Sequence, residues 1–208
     1  MWIFQASSSP TGHGPGDRVR IGSPDNLMSS WLPSVLRTFA ATHPTVSIAV
    51  IVGYTRPLIE SMNRGSLDIV IGSRCRGDQP GHLLWREPLV WAYARDGVID
   101  REMPVPLALF PEPCPYREAA LAALARAGRD WRITLVSPSF DVIVAAAEAE
   151  FGVVPISQSL LTAQLQTMGP AEGLPDLPEV EVMVFTSGRN GMLAVTELTD
   201  EIVRVARL

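Results

Sequence analysis

Two cysteines occur, Cys75 and Cys114, and no CxxC pair. A disulfide framework is thereby excluded, and the scarcity fits a reducing cytoplasm. Positive charge is in deficit: 17 Lys and Arg face 22 Asp and Glu, for a net charge of −5. A surface with that balance does not favour a polyanion, so any DNA-contacting part lies outside this chain. Long apolar runs are absent too. The N-terminal "WIF" has three residues and no basic stretch before it, so it is neither a signal peptide nor a membrane span, and nothing later approaches transmembrane length. There is no repeat of solenoid period, GxSxG, Walker loop or GxGxxG. His13, His43 and His82 lack ligand spacing, so no metal site is expected, nor any cofactor.

The 208 residues, 47% hydrophobic and 19% charged, are those of a globular chain. The length suits one domain or two small lobes with a core that needs no disulfide or metal. Residues 1–16, "MWIFQASSSPTGHGPG", read as a flexible leader or linker remnant. Val19 and Ile21 alternate with Arg18 and Arg20, which predicts a strand over 18–22. Leu27, Trp31, Leu32, Val35, Leu36 and Phe39 share a helical face, with Pro33 bending or separating the first turn. "HPTVSIAVIVG" predicts a turn and an apolar strand of the kind covered on both faces. "TRPLIESMNRG" is a short helix capped by Gly65, and "LDIVIGS" a buried strand. This βαβαβ order implies a parallel sheet with right-handed crossovers. A second α/β unit follows: strand "PVPLALF", helix "YREAALAALARAG", strand "WRITLVS", helix "SFDVIVAAAEAEF" and short strand "GVVPIS". After the loop 169–179 come the strand "VEVMVFTS" and a helix marked by Val195, Leu198, Ile202 and Val203. Extended segments near 88–95 and 180–187 are the candidate crossings between two lobes.

The stretch from "VRIGSPDNLMSSWLPSVLRTF" to "RGSLDIVIGS" resembles the start of the effector-binding domain of LysR-type transcriptional regulators. The shared pattern is a strand ending in IG, a helix with an L-P, an H-P turn before the second strand and G-x-L-D before the third. The likeness runs on through "FGVVPIS" and covers 18–208, and "PEPCPYREAALAALARAGRDW" also resembles the flagellar-repressor branch. Glu150 departs from the pattern, standing where a glycine usually precedes the turn in "AEFGVV". The resemblance implies an α/β fold of the type II periplasmic-binding-protein kind, two α/β lobes joined by two crossover strands. Lobe I would hold 17–90 and 183–208, and lobe II 91–182. It further implies a homodimer or homotetramer, with DNA contacted only through an N-terminal winged helix-turn-helix absent from this chain.

The turn "SPDN" precedes a helix, whose N-terminus offers free N–H groups and a partial positive charge. Read locally, Asp25 or Asn26 serves only as a cap there. The resemblance makes the turn an effector contact instead, with Ser23 and Asn26 as candidates and Asp25 left to capping. Tyr54, Thr55, Ser73 and Arg74 follow strand ends, where open parallel sheets bind ligands. For Arg74 and Arg56 a solvated surface charge is an equal reading. In the second unit Cys114, Tyr116 and Arg117 of "FPEPCPYR" mirror "SPDN", and Ser139 of "SPSF" is either a contact or a plain cap. A redox switch at Cys114 would need a resolving partner, and Cys75 belongs to the opposite lobe. Asp141, Glu148 and Glu150 read as surface helix residues.

The expected function is ligand sensing by a cytoplasmic regulator, without catalysis or membrane contact. A small effector, anionic if Arg74 or Arg117 joins the helix N-termini, would close the lobes. A solute receptor of a transporter shares the fold but needs a secretion signal. An enzyme needs positioned acid and base groups, and none stands out.

Overall fold

The computed structural model describes residues 18–28, 31–75, 77, 79–187 and 193–206. The leader expected over 1–16 lies outside them. The first unit runs β1 (Arg18–Ser23), α1 (Asp25–Met28), α2 (Leu32–Thr42), β2 (Ser47–Val52), α3 (Thr55–Asn63) and β3 (Ile69–Ser73). β1 pairs parallel with both β2 and β3, as the βαβαβ order predicts. Pro33 sits in the first turn of α2, where its missing N–H costs nothing, and α1 is a separate short helix. α3 ends with Gly65 at φ 82°, its N–H bonded to the Met62 carbonyl while Ser66 N–H reaches back to Ser61.

One expectation changes here. The apolar strand β2 is not covered on both faces: it is an edge of the sheet, and Val50, Ile51 and Val52 stay 39%, 46% and 56% exposed. β3 holds the interior position between β1 and a returning strand, and all five of its residues are buried.

The second unit holds β5 (Val105–Leu109), α4 (Pro115–Arg126), β6 (Trp131–Val136), α5 (Phe140–Glu148), β7 (Val154–Ser157) and β8 (Leu165–Met168). The sequence reading did not foresee β8. Glu150, read as a helix residue, lies beyond α5 with φ 59°. That is left-handed backbone, which explains a glycine preference at this position. Its carbonyl accepts the Tyr93 hydroxyl at 2.9 Å, a bond that any residue keeps. Glu150→Gly is therefore expected to stabilise the fold by up to about 1 kcal/mol, read as a higher urea midpoint. A lower midpoint would count against strain at this turn.

Two long strands tie the units together. β4 (His82–Ala94) and β9 (Glu179–Thr186) pair antiparallel, with His82–Pro88 facing Glu179–Val184. β9 also closes on β3, while the second half of β4 pairs with β7 and β8. The packing changes sides along both strands. Leu84, Val182 and Val184 pack with α2, β1 and α6 (Leu193–Ala206), whereas Leu89 and Val180 pack with α5 and β7. The crossing in β4 thus comes near residues 85–88, earlier than the 88–95 expected. Glu87 sits at that point and is buried. It accepts the indole N–H of Trp85 on the first unit's side and the hydroxyl of Ser159 on the other. Two α/β lobes joined by two crossover strands are the result, and no helix among the described residues is long and apolar enough to cross a membrane.

Candidate functional site

The carboxyl ends of β1, β2 and β3 face the loop after β5 and the start of α4. Between them lies a cavity with about 470 Å³ of open space, mouth included. The first lobe lines it with Pro24, Asn26, Tyr54, Thr55, Ser73 and Cys75. The second contributes Phe110, Pro113, Cys114, Pro115 and Tyr116. A second hollow shares Pro24, Asn26, Tyr54 and Phe110, and extends the space outward past Asp25, Val52, Pro138 and Phe140.

Six of the ten residues singled out in the sequence therefore meet in one place: Asn26, Tyr54, Thr55, Ser73, Cys114 and Tyr116. Four do not line it. Ser23 is fully buried and turns its hydroxyl to the Pro24 carbonyl at 3.3 Å. Arg74 pairs with Glu181 of β9 at 3.1 Å, outside the cavity. Arg117 lies 3.2 Å from Glu112 and donates to the Phe110 carbonyl at 3.2 Å. Ser139 stands before α5 without capping it by its side chain; its own N–H donates to Ser137. Asp25 and Asn26 fall inside α1, so the capping alternative for them fails as well. Phe110, Cys75, Phe140 and the three prolines 24, 113 and 115 went unrecognised. Their signal was position alone, since each lies in or beside a strand-end loop already under suspicion.

Tyr116 is buried, and its hydroxyl joins the lobes. It lies 2.8 Å from the Ser157 hydroxyl in its own lobe and accepts from Ser73 of the other at 3.3 Å. Burial holds its pKa above the usual phenol value. Tyr54 differs: its hydroxyl is buried with no hydrogen-bond partner, and burial pushes its pKa up to about 12, with Cys114 nearby adding to the shift. Asn26 is half-buried on the same wall. Cys114 is 6% exposed, and burial raises its thiol pKa, so it remains a neutral thiol. Cys75 lies on the facing wall of the same cavity. Among the described residues no cluster of three or more His, Cys, Asp or Glu offers a metal site.

The cavity floor depends on Gly72 in β3. A Cβ there would stand 2.2 Å from Thr55 Oγ1 and 2.9 Å from its Cγ2. Thr55 opens α3 and is itself buried, so it has little room to move. Gly72→Ala is expected to cost about 1–3 kcal/mol by overpacking and to shift the cavity wall. Chemical denaturation measures the first effect; a variant as stable as its parent would contradict the contact.

Comparison with known proteins agrees with this architecture. The family description "LysR substrate binding domain" matches residues 12–206. The HTH-type transcriptional regulator PecT of Dickeya dadantii is 31% identical over 161 residues, 77% of this chain and 51% of PecT. DgdR of Burkholderia cepacia is 29% identical over 179 residues, 86% of this chain and 60% of DgdR. The chain thus spans about half to three fifths of the length of these curated relatives. The regulatory domain of Synechocystis PCC6803 CcmR, solved in complex with 2-PG, has a TM-score of 0.75 at 18% identity, covering 92% of this chain and 98% of that one. With the family match running almost end to end and the fold shared with such regulatory domains, this chain belongs to the LysR substrate-binding domains.

Proposed function

We propose that the chain is the ligand-sensing part of a transcriptional regulator, and that a small molecule binding in the interlobe cleft draws the lobes together. The observation that carries this reading is the cavity lined from both lobes, with Asn26 and Tyr54 on one wall and Phe110 and Tyr116 on the other. A ligand touching both walls favours the closed arrangement by its differential contacts. The lobes would comprise 17–90 with 183–208, and 91–182. Work of this kind needs no chemistry, and among the described residues the inner cavity is lined by no carboxylate, histidine or arginine to serve as acid or base. DNA would be contacted only through an N-terminal winged helix-turn-helix outside this chain, in the cytoplasm. Assembly as a homodimer or homotetramer is supported by the apolar strand β2, exposed at residues 50–52.

The test combines small-angle scattering with thermal melting. A ligand that raises the melting temperature is expected to reduce the radius of gyration, and Phe110→Asp to abolish both changes. Sequence-selective retardation of duplex DNA by this chain alone would contradict the reading, as would ligand binding that Phe110→Asp leaves untouched.

A further inference from the structure

We infer that the effector is an uncharged, flat aromatic molecule with a hydrogen-bonding group, held by Tyr54 and Asn26 of the first lobe against Phe110 and the proline wall of the second. The inference rests on the proposed ligand-sensing role of this cleft and names what the cleft accepts.

Charge comes first. Among the described residues no Arg, Lys or His lines either of the connected hollows, and the one carboxylate there, Asp25, stands at the outer end. The two arginines best placed by sequence are occupied elsewhere, Arg74 with Glu181 and Arg117 with Glu112 and the Phe110 carbonyl. Desolvating a carboxylate or phosphate without a counter-charge is strongly unfavourable. Helix N-termini do little to supply the lack: α5, whose Phe140 borders the outer hollow, carries Asp141 in its own first turn. α1 has only four residues. α3 carries Pro57 and α4 Pro115 in their first turns, and each proline deletes an N–H that an anion would use.

Shape and polarity point the same way. Tyr54 belongs to the first lobe yet packs against the second lobe's cluster of Phe110, Cys114 and Tyr116. It lines both hollows together with Phe110, so two aromatic rings border one slot. Flat rings pack well against such walls. Yet the Tyr54 hydroxyl is buried and unpaired, an arrangement that disfavours the empty site and rewards a ligand bringing a partner. Asn26, which lines both hollows, offers a donor and an acceptor from the same lobe. Tyr116 is not free to do this, because Ser73 and Ser157 already share its hydroxyl.

Matched probes test the inference: benzamide, nicotinamide and indole-3-carboxamide against benzoate, nicotinate and indole-3-carboxylate, with inorganic phosphate as a further anion. Thermal melting at neutral pH ranks them, and calorimetry gives affinities for the best pair. At least one amide is expected to bind about ten-fold or more tightly than its carboxylate, and Tyr54→Phe to lose about ten-fold in that affinity while melting like its parent without ligand. Three results overturn the inference: a carboxylate or phosphate binding as tightly as its neutral counterpart, Tyr54→Phe binding the amide like the parent, or no amide shifting the melting temperature at millimolar concentration. Phe110→Asp separates the two levels. Anion binding lost in that variant leaves the cleft as the sensing site and removes only the neutral effector; binding that survives it removes the cleft assignment as well.

Discussion

Asp68→Ala is expected to remove about 3–5 kcal/mol of stability, falling toward the lower figure. The Asp68 side chain is 1% exposed. One of its oxygens accepts the Arg20 main-chain N–H at 2.8 Å and the Nε–H at 3.0 Å, and the other accepts Nη2 at 2.7 Å. The Asp68 N–H donates to the Arg20 carbonyl at 2.9 Å, so the pair stitches β1 to the entry of β3 by main chain and side chain together. Two facts moderate the loss. Arg20 is 34% exposed, so water screens part of the attraction, and it keeps its bond to the Gly65 carbonyl at 2.7 Å. Asp68→Asn, which preserves an acceptor, should lose less. Urea unfolding at neutral pH reads both; a loss for Asp68→Ala below about 1 kcal/mol, the level of an ordinary surface change, would refute the buried clamp.

Trp91→Ala is the second large effect, expected at about 3–5 kcal/mol for an emptied core site. The indole is 2% exposed in the middle of β4 and packs with Tyr93, Val105, Leu107 and Leu124. Its N–H donates to the Pro175 carbonyl at 2.7 Å, pinning the loop that leads into β9. The variant leaves both a cavity and a carbonyl without its partner. Trp91→Phe keeps most of the ring volume and loses the hydrogen bond, so about 1–2 kcal/mol is expected. Equal losses for the two variants would show that the bond, not the packing, holds this loop.

The first lobe was legible because its signals are local. Gly65 ends α3 by left-handed backbone, Pro33 falls in a helix's first turn, alternation marks β1 and an apolar run marks β3. β8 was invisible for the opposite reason. Its four residues carry no period long enough to read, and it is a strand only because β4 lies beside it. The site divides in the same way. Asn26, Tyr54, Thr55, Ser73 and Tyr116 follow strand ends or start helices, and the parallel order brings those ends to one rim.

By itself the sequence determined the two α/β units and the identity of most cleft-facing turns. What each charge does was left to the tertiary structure. Arg74 meets Glu181 only because β9 returns, more than a hundred residues later, to lie antiparallel beside β3. Arg117 is taken by Glu112 and by the Phe110 carbonyl, where the loop folds back on the start of α4. Coulomb attraction and hydrogen bonding act between neighbours in space, and no reading of neighbours in sequence specifies which acid an arginine will find. The same holds for burial. Val50 to Val52 look like core and stay exposed, because strand order makes β2 an edge, while Cys114 looked like loop and is enclosed by the closing of two lobes.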